Sequence, residues 1–270
     1  MAAVATINRI RGVRLEARLV LTMIVVGVIG FAVLLPLALL VLNSFKISQP
    51  SQADVYSLSG WTRPFTTPGI PLSLWNSLKV VVVQQAISFP IAILFAWLIA
   101  RTNLPGSKFL EFLFWIAFFI PTIPVIQAWI LLAHPSAGVL NKLVTSLPGV
   151  ESGPFNIFSF WGIIWVHLMT KAVAIKVMIL TPAFRNMDAS LEDASRVSGA
   201  SSIMTLIRIT VPVMTPAIVV MLLLSLLFTF QSVEIELILG LRDRFFVFGS
   251  KIFDLTRLEP PQYGQATSLG

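Results

Sequence analysis

Five long apolar runs dominate this chain, at roughly residues 19–42, 76–100, 109–133, 158–180 and 216–233. A helix needs about 20 apolar residues to cross the hydrocarbon of a bilayer, so each run is near or above the length of one crossing once tilt is allowed. Lipid offers no hydrogen bonds, so such segments must be helical. The composition agrees, with 56% hydrophobic and 11% charged residues, where soluble domains carry about a quarter charged. The expected fold is all-α: a polytopic transmembrane helix bundle. Pro36, Pro90, Pro121, Pro124 and Pro182 lie in or near the runs. They predict kinks whose freed carbonyls neighbouring helices must re-satisfy.

The same composition excludes several classes. With no cysteine there are no disulfides, thiol chemistry or Cys-based metal sites. His134 and His167 are too few and too far apart for a metal centre, so neither metal nor cofactor is expected. A net charge of +7 needs no nucleic acid, because Lys and Arg accumulate in cytoplasmic loops and beside anionic headgroups. The first run is too long for a signal-peptide core and lacks a small-residue cleavage site after it, so it reads as a retained span.

Orientation follows from basic residues in the connections. With the N-terminus inside, segments 1–18, 101–108 and 182–215 are cytoplasmic and hold nine Lys or Arg in 60 residues. The opposite segments, 43–75, 134–158 and 234–264, hold seven in 89, a lower density that favours this orientation. Arg9, Arg11, Arg14 and Arg18 before the first span weigh most. The last residues, from Pro260 to Gly270, read as the start of a sixth helix, and the sequence as truncated there.

The stretch between the fourth and fifth spans reads as two short helices on the cytoplasmic surface. Ser190 and Asp193 have the S-x-x-D spacing of a capping box. Gly199 falls where a left-handed C-terminal residue is wanted. Ser201 or Ser202 can cap the second helix, and Pro212 is expected to stop it. A rigid, capped elbow projecting from a membrane bundle suits docking onto a cytosolic partner.

This stretch resembles the EAA loop of binding-protein-dependent ABC permeases. That loop carries Glu-Ala-Ala, a Gly six residues after the Glu, and Ile-x-Leu-Pro ending thirteen residues after the Gly. Here Asp193-Ala194-Ser195 stand for Glu-Ala-Ala, Gly199 for the Gly, and Ile209-Thr210-Val211-Pro212 for the last element. Either Glu192 or Asp193 could make the family's ionic contact with the ATPase. Further likeness covers about residues 72–270. Asn76-Ser77 and Ala100-Arg101-Thr102 look like the start of the family's transmembrane domain, while Pro121-x-x-Pro124 and Glu259-Pro260-Pro261-Gln262-Tyr263-Gly264 are similar to the N-terminal half of ferric-iron-type permeases. Those fuse two six-helix halves in one chain.

The resemblance implies a MetI-like ABC importer permease core, incomplete at its C-terminus, with residues 185–212 as coupling loop. It implies an inner-membrane subunit that performs no bond chemistry. A cytosolic ABC ATPase dimer would bind the elbow. A periplasmic or lipid-anchored binding protein would deliver the solute, ferric iron or a related small species. A second permease half, fused, identical or separate, would complete the path.

Four residues are candidates for that path. Lys171, in the fourth run, could meet an anionic group of the solute, or be paired or snorkelled. His167, four residues before it, could line the same cavity or be an interhelical histidine. Glu234 and Glu236 end the fifth run and could attract a cation or be a solvated terminus. Lys176, near the cytoplasmic end, is expected to snorkel, and Gln84 and Gln85 to hydrogen-bond between helices. The competing function is an ion-gradient-driven secondary transporter, but the interiors of the runs hold no Asp or Glu for ion coupling.

Overall fold

The computed structural model describes residues 2–48, 52–67 and 69–270. Every regular element among them is a helix, as the apolar runs require. The chain divides into two compact units. One takes the N-terminal residues through Thr67 together with Ile252–Gly270, the other Pro68–Lys251.

In the first unit α1 (Ala2–Ser44) runs unbroken for 43 residues, about 65 Å at 1.5 Å per residue. Within its apolar part, Arg18–Ser44, the most apolar 18-residue stretch has a mean hydropathy of 2.9 and no buried residue. Such a surface is stable in lipid and not in water. The residues before the span continue the same helix. After α1 the chain doubles back, with Ile47 N–H on the Val55 carbonyl and Ser57 N–H on that of Phe45. It then enters α2 (Ser59–Thr66). The helix Tyr263–Leu269 packs here, its Ser268 hydroxyl donating to the Gly60 carbonyl at 2.9 Å.

The second unit is built around α3 (Ile70–Arg101), a 32-residue span. α4 (Ser107–Phe119) and α5 (Thr122–Ala133) come from a single apolar run, yet their axes differ by 99°. Ile120 and Pro121 between them are both extended. Proline removes a helical N–H and forces its predecessor out of the α region, so the kink expected at Pro121 becomes a full break. α6 (Val139–Thr145) is a short surface turn of helix.

The next span is compound: α7 (Phe160–His167), a π-type turn (Leu168–Ala172) and α8 (Val173–Asn186). It starts at a Ser159 cap whose hydroxyl accepts from Gly162 N–H at 3.1 Å. A Cβ on Gly162 would lie 2.1 Å from the Ile157 carbonyl oxygen, so no larger residue fits beneath the cap. α8 packs on α3 where Ala92 and Ala96 are fully buried, alongside Leu180 and Phe184. Small residues let backbones approach closely where apolar solvent supplies no hydrophobic drive.

α9 (Ser190–Val197), α10 (Ser202–Thr205), a π-type turn (Leu206–Thr210) and α11 (Val211–Val213) make the elbow. α12 (Thr215–Phe230) and α13 (Glu234–Leu239) form the fifth apolar stretch. Among the described residues four helices, or five with the bent pair, are thus long and apolar enough to cross a membrane.

Candidate functional site

The elbow is held to the bundle by one buried carboxylate. Glu192 in α9 is 4% exposed. Its Oε2 lies 3.1 Å from the Nε of Arg101, the last residue of α3. Its Oε1 accepts the Thr210 hydroxyl at 2.6 Å. Arg101 Nη2 donates to the Met187 carbonyl at 3.0 Å, closing the loop before α9. The Ser195 and Thr205 hydroxyls, 2.9 Å apart, tie the two arms together. On the adjoining helices Arg185 grips Glu111 with both terminal nitrogens, at 3.0 and 2.6 Å. The C-terminal ends of α3 and α8 and the N-terminal end of α4 therefore lie on the elbow's side of the second unit.

Glu192 and Asp193 are separated by direction. Glu192 faces inward, while Asp193 and Ala194 are exposed and Ser195 is half-buried. The outer surface is apolar, with Val197 90%, Ile203 65% and Ile207 62% exposed. Gly199 joins the arms at φ +83°, the left-handed conformation expected of it.

The caps differ in part from expectation. Ser190 does not cap α9. Asp188 does the work instead, its carboxylate accepting Ser190 N–H at 2.9 Å. That bond holds the Asp188 carboxyl below the usual carboxylate range. At the second helix Ser201 is the cap, accepting from Met204 N–H at 3.3 Å. The helix ends at Val213, one residue past Pro212, close to the stop expected there. The wider π-type turn before it accommodates a residue that cannot donate. Ile209 is half-buried and Pro212 exposed.

A cavity of about 570 Å³ opens among α3, α4, α12 and the compound span. It sits at the break in that span, where Thr170 leaves the helical region at φ −92°, ψ −116°. Lys171 is exposed and lines it. Lys176 also lines it, and the expectation of snorkelling fails: it is 1% exposed. Its Nζ donates to the Ala172 carbonyl at 2.9 Å and lies 4.9 Å from the Phe89 ring centroid. Those contacts curl the side chain back along its own helix rather than out to the membrane surface.

His167 and Glu236 are taken up by each other. Their Nε2 and Oε1 atoms are 2.7 Å apart, and the second Glu236 oxygen accepts from Ser232 at 2.9 Å. Both side chains are buried. The interhelical alternative thus describes His167, although it also lines the cavity. Glu236 is not a solvated terminus, because α13 packs against α5 and α7 and encloses it. Glu234, exposed, remains on the cavity lining. Gln84 and Gln85 bond between helices as expected. Thr229 donates to Gln84 at 3.2 Å, Gln85 Nε2 donates to Thr229 at 3.0 Å, and Ser225 donates to Gln85 at 3.1 Å. Among the described residues no cluster of His, Asp and Glu has the geometry to hold a metal.

No family model matches the chain. It is 26% identical over 220 residues to the polygalacturonan/rhamnogalacturonan transport system permease protein YteP of Bacillus subtilis, covering 79% of this chain and 68% of that one. It is 30% identical over 152 residues to the molybdenum transport system permease protein ModB of Haemophilus influenzae, covering 55% and 62%. Among solved structures, a bacterial ABC transporter involved in the import of the acidic polysaccharide alginate superposes with a TM-score of 0.75 at 20% identity, over 97% of this chain and 92% of the other. A bacterial alginate ABC transporter in complex with alginate pentasaccharide-bound periplasmic protein gives 0.74 at 20% identity, over 94% and 88%. The chain has the fold of ABC transporter permeases and is similar to them in sequence over more than half of its length.

Proposed function

We propose that this chain is a permease subunit of an ABC importer, and that its elbow receives the cytosolic ATPase. The observation that carries this reading is the two-faced elbow. Glu192 anchors it inward to Arg101 and Thr210, while Asp193, Val197, Ile203 and Ile207 present an exposed surface with an acidic residue at one end. An exposed apolar patch beside a charge is what a docking surface looks like. The inward anchor makes the elbow move with α3 rather than apart from it. ATP-driven closure of an ATPase dimer would pull two such elbows together and rock two permease halves between inward- and outward-facing states.

Asp193, not Glu192, is then the residue that meets the ATPase, since Glu192 is already buried and paired. The chain itself performs no bond chemistry. The likeness to the alginate transporter supports a periplasmic binding protein as the delivering partner, and a second permease half is needed to close a path. The protein would be multi-pass in the inner membrane, with the elbow and the N-terminal arginines on the cytoplasmic side. Ferric iron, the cargo implied by the subgroup resemblance, finds no support in the relatives above. Those are named for the transport of polygalacturonan and rhamnogalacturonan, molybdenum and the acidic polysaccharide alginate.

The test is co-purification and ATPase stimulation in proteoliposomes, using the full-length protein with the ATPase and binding protein encoded beside it. Asp193→Arg and Val197→Asp should abolish ATPase association. If the ATPase never associates with the unaltered protein, or ignores both changes, the importer reading fails.

A further inference from the structure

Building on the importer reading, we infer that the cavity at the break in the compound span binds an anionic group of the solute, with Lys176 and Lys171 as its cationic contacts. Lys176 is 1% exposed. The partners of its ammonium are a carbonyl oxygen, that of Ala172, and the face of Phe89. Neither lysine forms an ion pair among the described residues.

A buried charge without a counter-charge is costly, and more so in a membrane interior. The nearby carboxylates do not remove that cost. Glu236 is committed to His167 and Ser232. Glu234 lies on the lining, outside ion-pair distance of either lysine. An anion entering the cavity supplies what the protein withholds. Arg and Lys are rare within spans and characteristically mark substrate pathways.

The surrounding groups fit such a ligand. Gln84 shares the lining with the two lysines; its side-chain oxygen accepts from Thr229, and its NH2 group can donate to hydroxyls or oxyanion oxygens. A volume of about 570 Å³ lies within the roughly 300–1,000 Å³ range of small-molecule sites. It accommodates an oxyanion or a short stretch of carboxylated sugar. Thr170, where the span leaves helical geometry, lies on the same lining as the two lysines. The same charge disfavours a bare ferric ion.

The experiment is equilibrium binding to the purified full-length protein in detergent. Trigalacturonate, molybdate and neutral maltotriose serve as probes, alongside ATPase co-purification. Trigalacturonate or molybdate should bind and maltotriose should not. Which anion binds separates a carboxylated saccharide from a small oxyanion as the source of the charge. Lys176→Met should weaken anion binding by roughly tenfold or more, the loss expected for one charge-assisted hydrogen bond, and Lys176→Arg should retain most of it. Lys171→Gln, at an exposed position where folding is not at risk, should also weaken it. Absence of anion binding, equal binding of maltotriose, or affinities unchanged in all three variants overturns the inference. Lysine-dependent anion binding without ATPase association sustains it while the importer reading fails. ATPase association without anion binding does the reverse.

Discussion

Arg101 at the end of α3 and Glu192 in the elbow are 91 positions apart, yet their Nε and Oε2 atoms lie 3.1 Å from each other, with side chains 11% and 5% exposed. This pair makes the elbow an extension of a membrane span. α3 buries its small residues against α8, so a displacement of the elbow is passed to the core of the second unit.

Removing one member of this pair strands the other's charge. A buried pair broken on one side costs about 3–5 kcal/mol. Arg101→Met and Glu192→Ala should each lower the thermal unfolding temperature in detergent. The double variant should be less destabilised than the sum, because no stranded charge remains. Differential scanning fluorimetry on the four proteins of that cycle checks it, and strict additivity would argue that the pair is not coupled.

The outward residues behave oppositely. Val197 is 90% exposed and Asp193 fully on the surface, so Val197→Asp and Asp193→Arg should leave the unfolding temperature within the range of ordinary surface changes, about ±0.5 kcal/mol. Their effect should appear as loss of ATPase-stimulating activity. A matched fall in stability would show that these side chains serve the fold instead.

Gly199 tests the joint between the elbow's arms. A Cβ there would meet open space, so Gly199→Ala carries the cost of the left-handed conformation alone, about 1–2 kcal/mol. Gly199→Asn should cost less, since asparagine visits that region more readily. Comparing unfolding temperatures of the two variants checks the ranking.

The absence of cysteine from this chain makes accessibility directly measurable. A cysteine at Lys171 or Glu234 should react with a water-soluble thiol reagent in inside-out or right-side-out vesicles, because both positions are exposed on the cavity lining. A cysteine at Glu236, buried against His167, should react at least tenfold more slowly. Equal rates at the three positions would contradict the enclosure of the His167–Glu236 pair.

The membrane class and the elbow were legible without coordinates, because both rest on local rules. Apolar length alone dictates helices in lipid. Gly199 and Ser201 are short-range signals that the backbone obeys here. The capping box at Ser190 does not form, because Asp188 takes the Ser190 N–H and the Asp193 N–H bonds to the Ala189 carbonyl.

Pairing across the bundle could not be read from local pattern. Nothing in the spacing of 91 positions tells Glu192 to meet Arg101, or of 69 positions tells Glu236 to meet His167. Nor does a helical wheel reveal that Lys176 turns back to its own carbonyl instead of reaching the membrane surface. Which buried charge finds a partner depends on which helices pack together, and that is settled by the sum of many weak contacts, such as Ala92 and Ala96 against α8. The sequence by itself determined that this chain lives in a membrane and carries a capped elbow. The tertiary structure decided which acid anchors that elbow and left two lysines without one, since burial and distance belong to the packed fold and not to the order of residues.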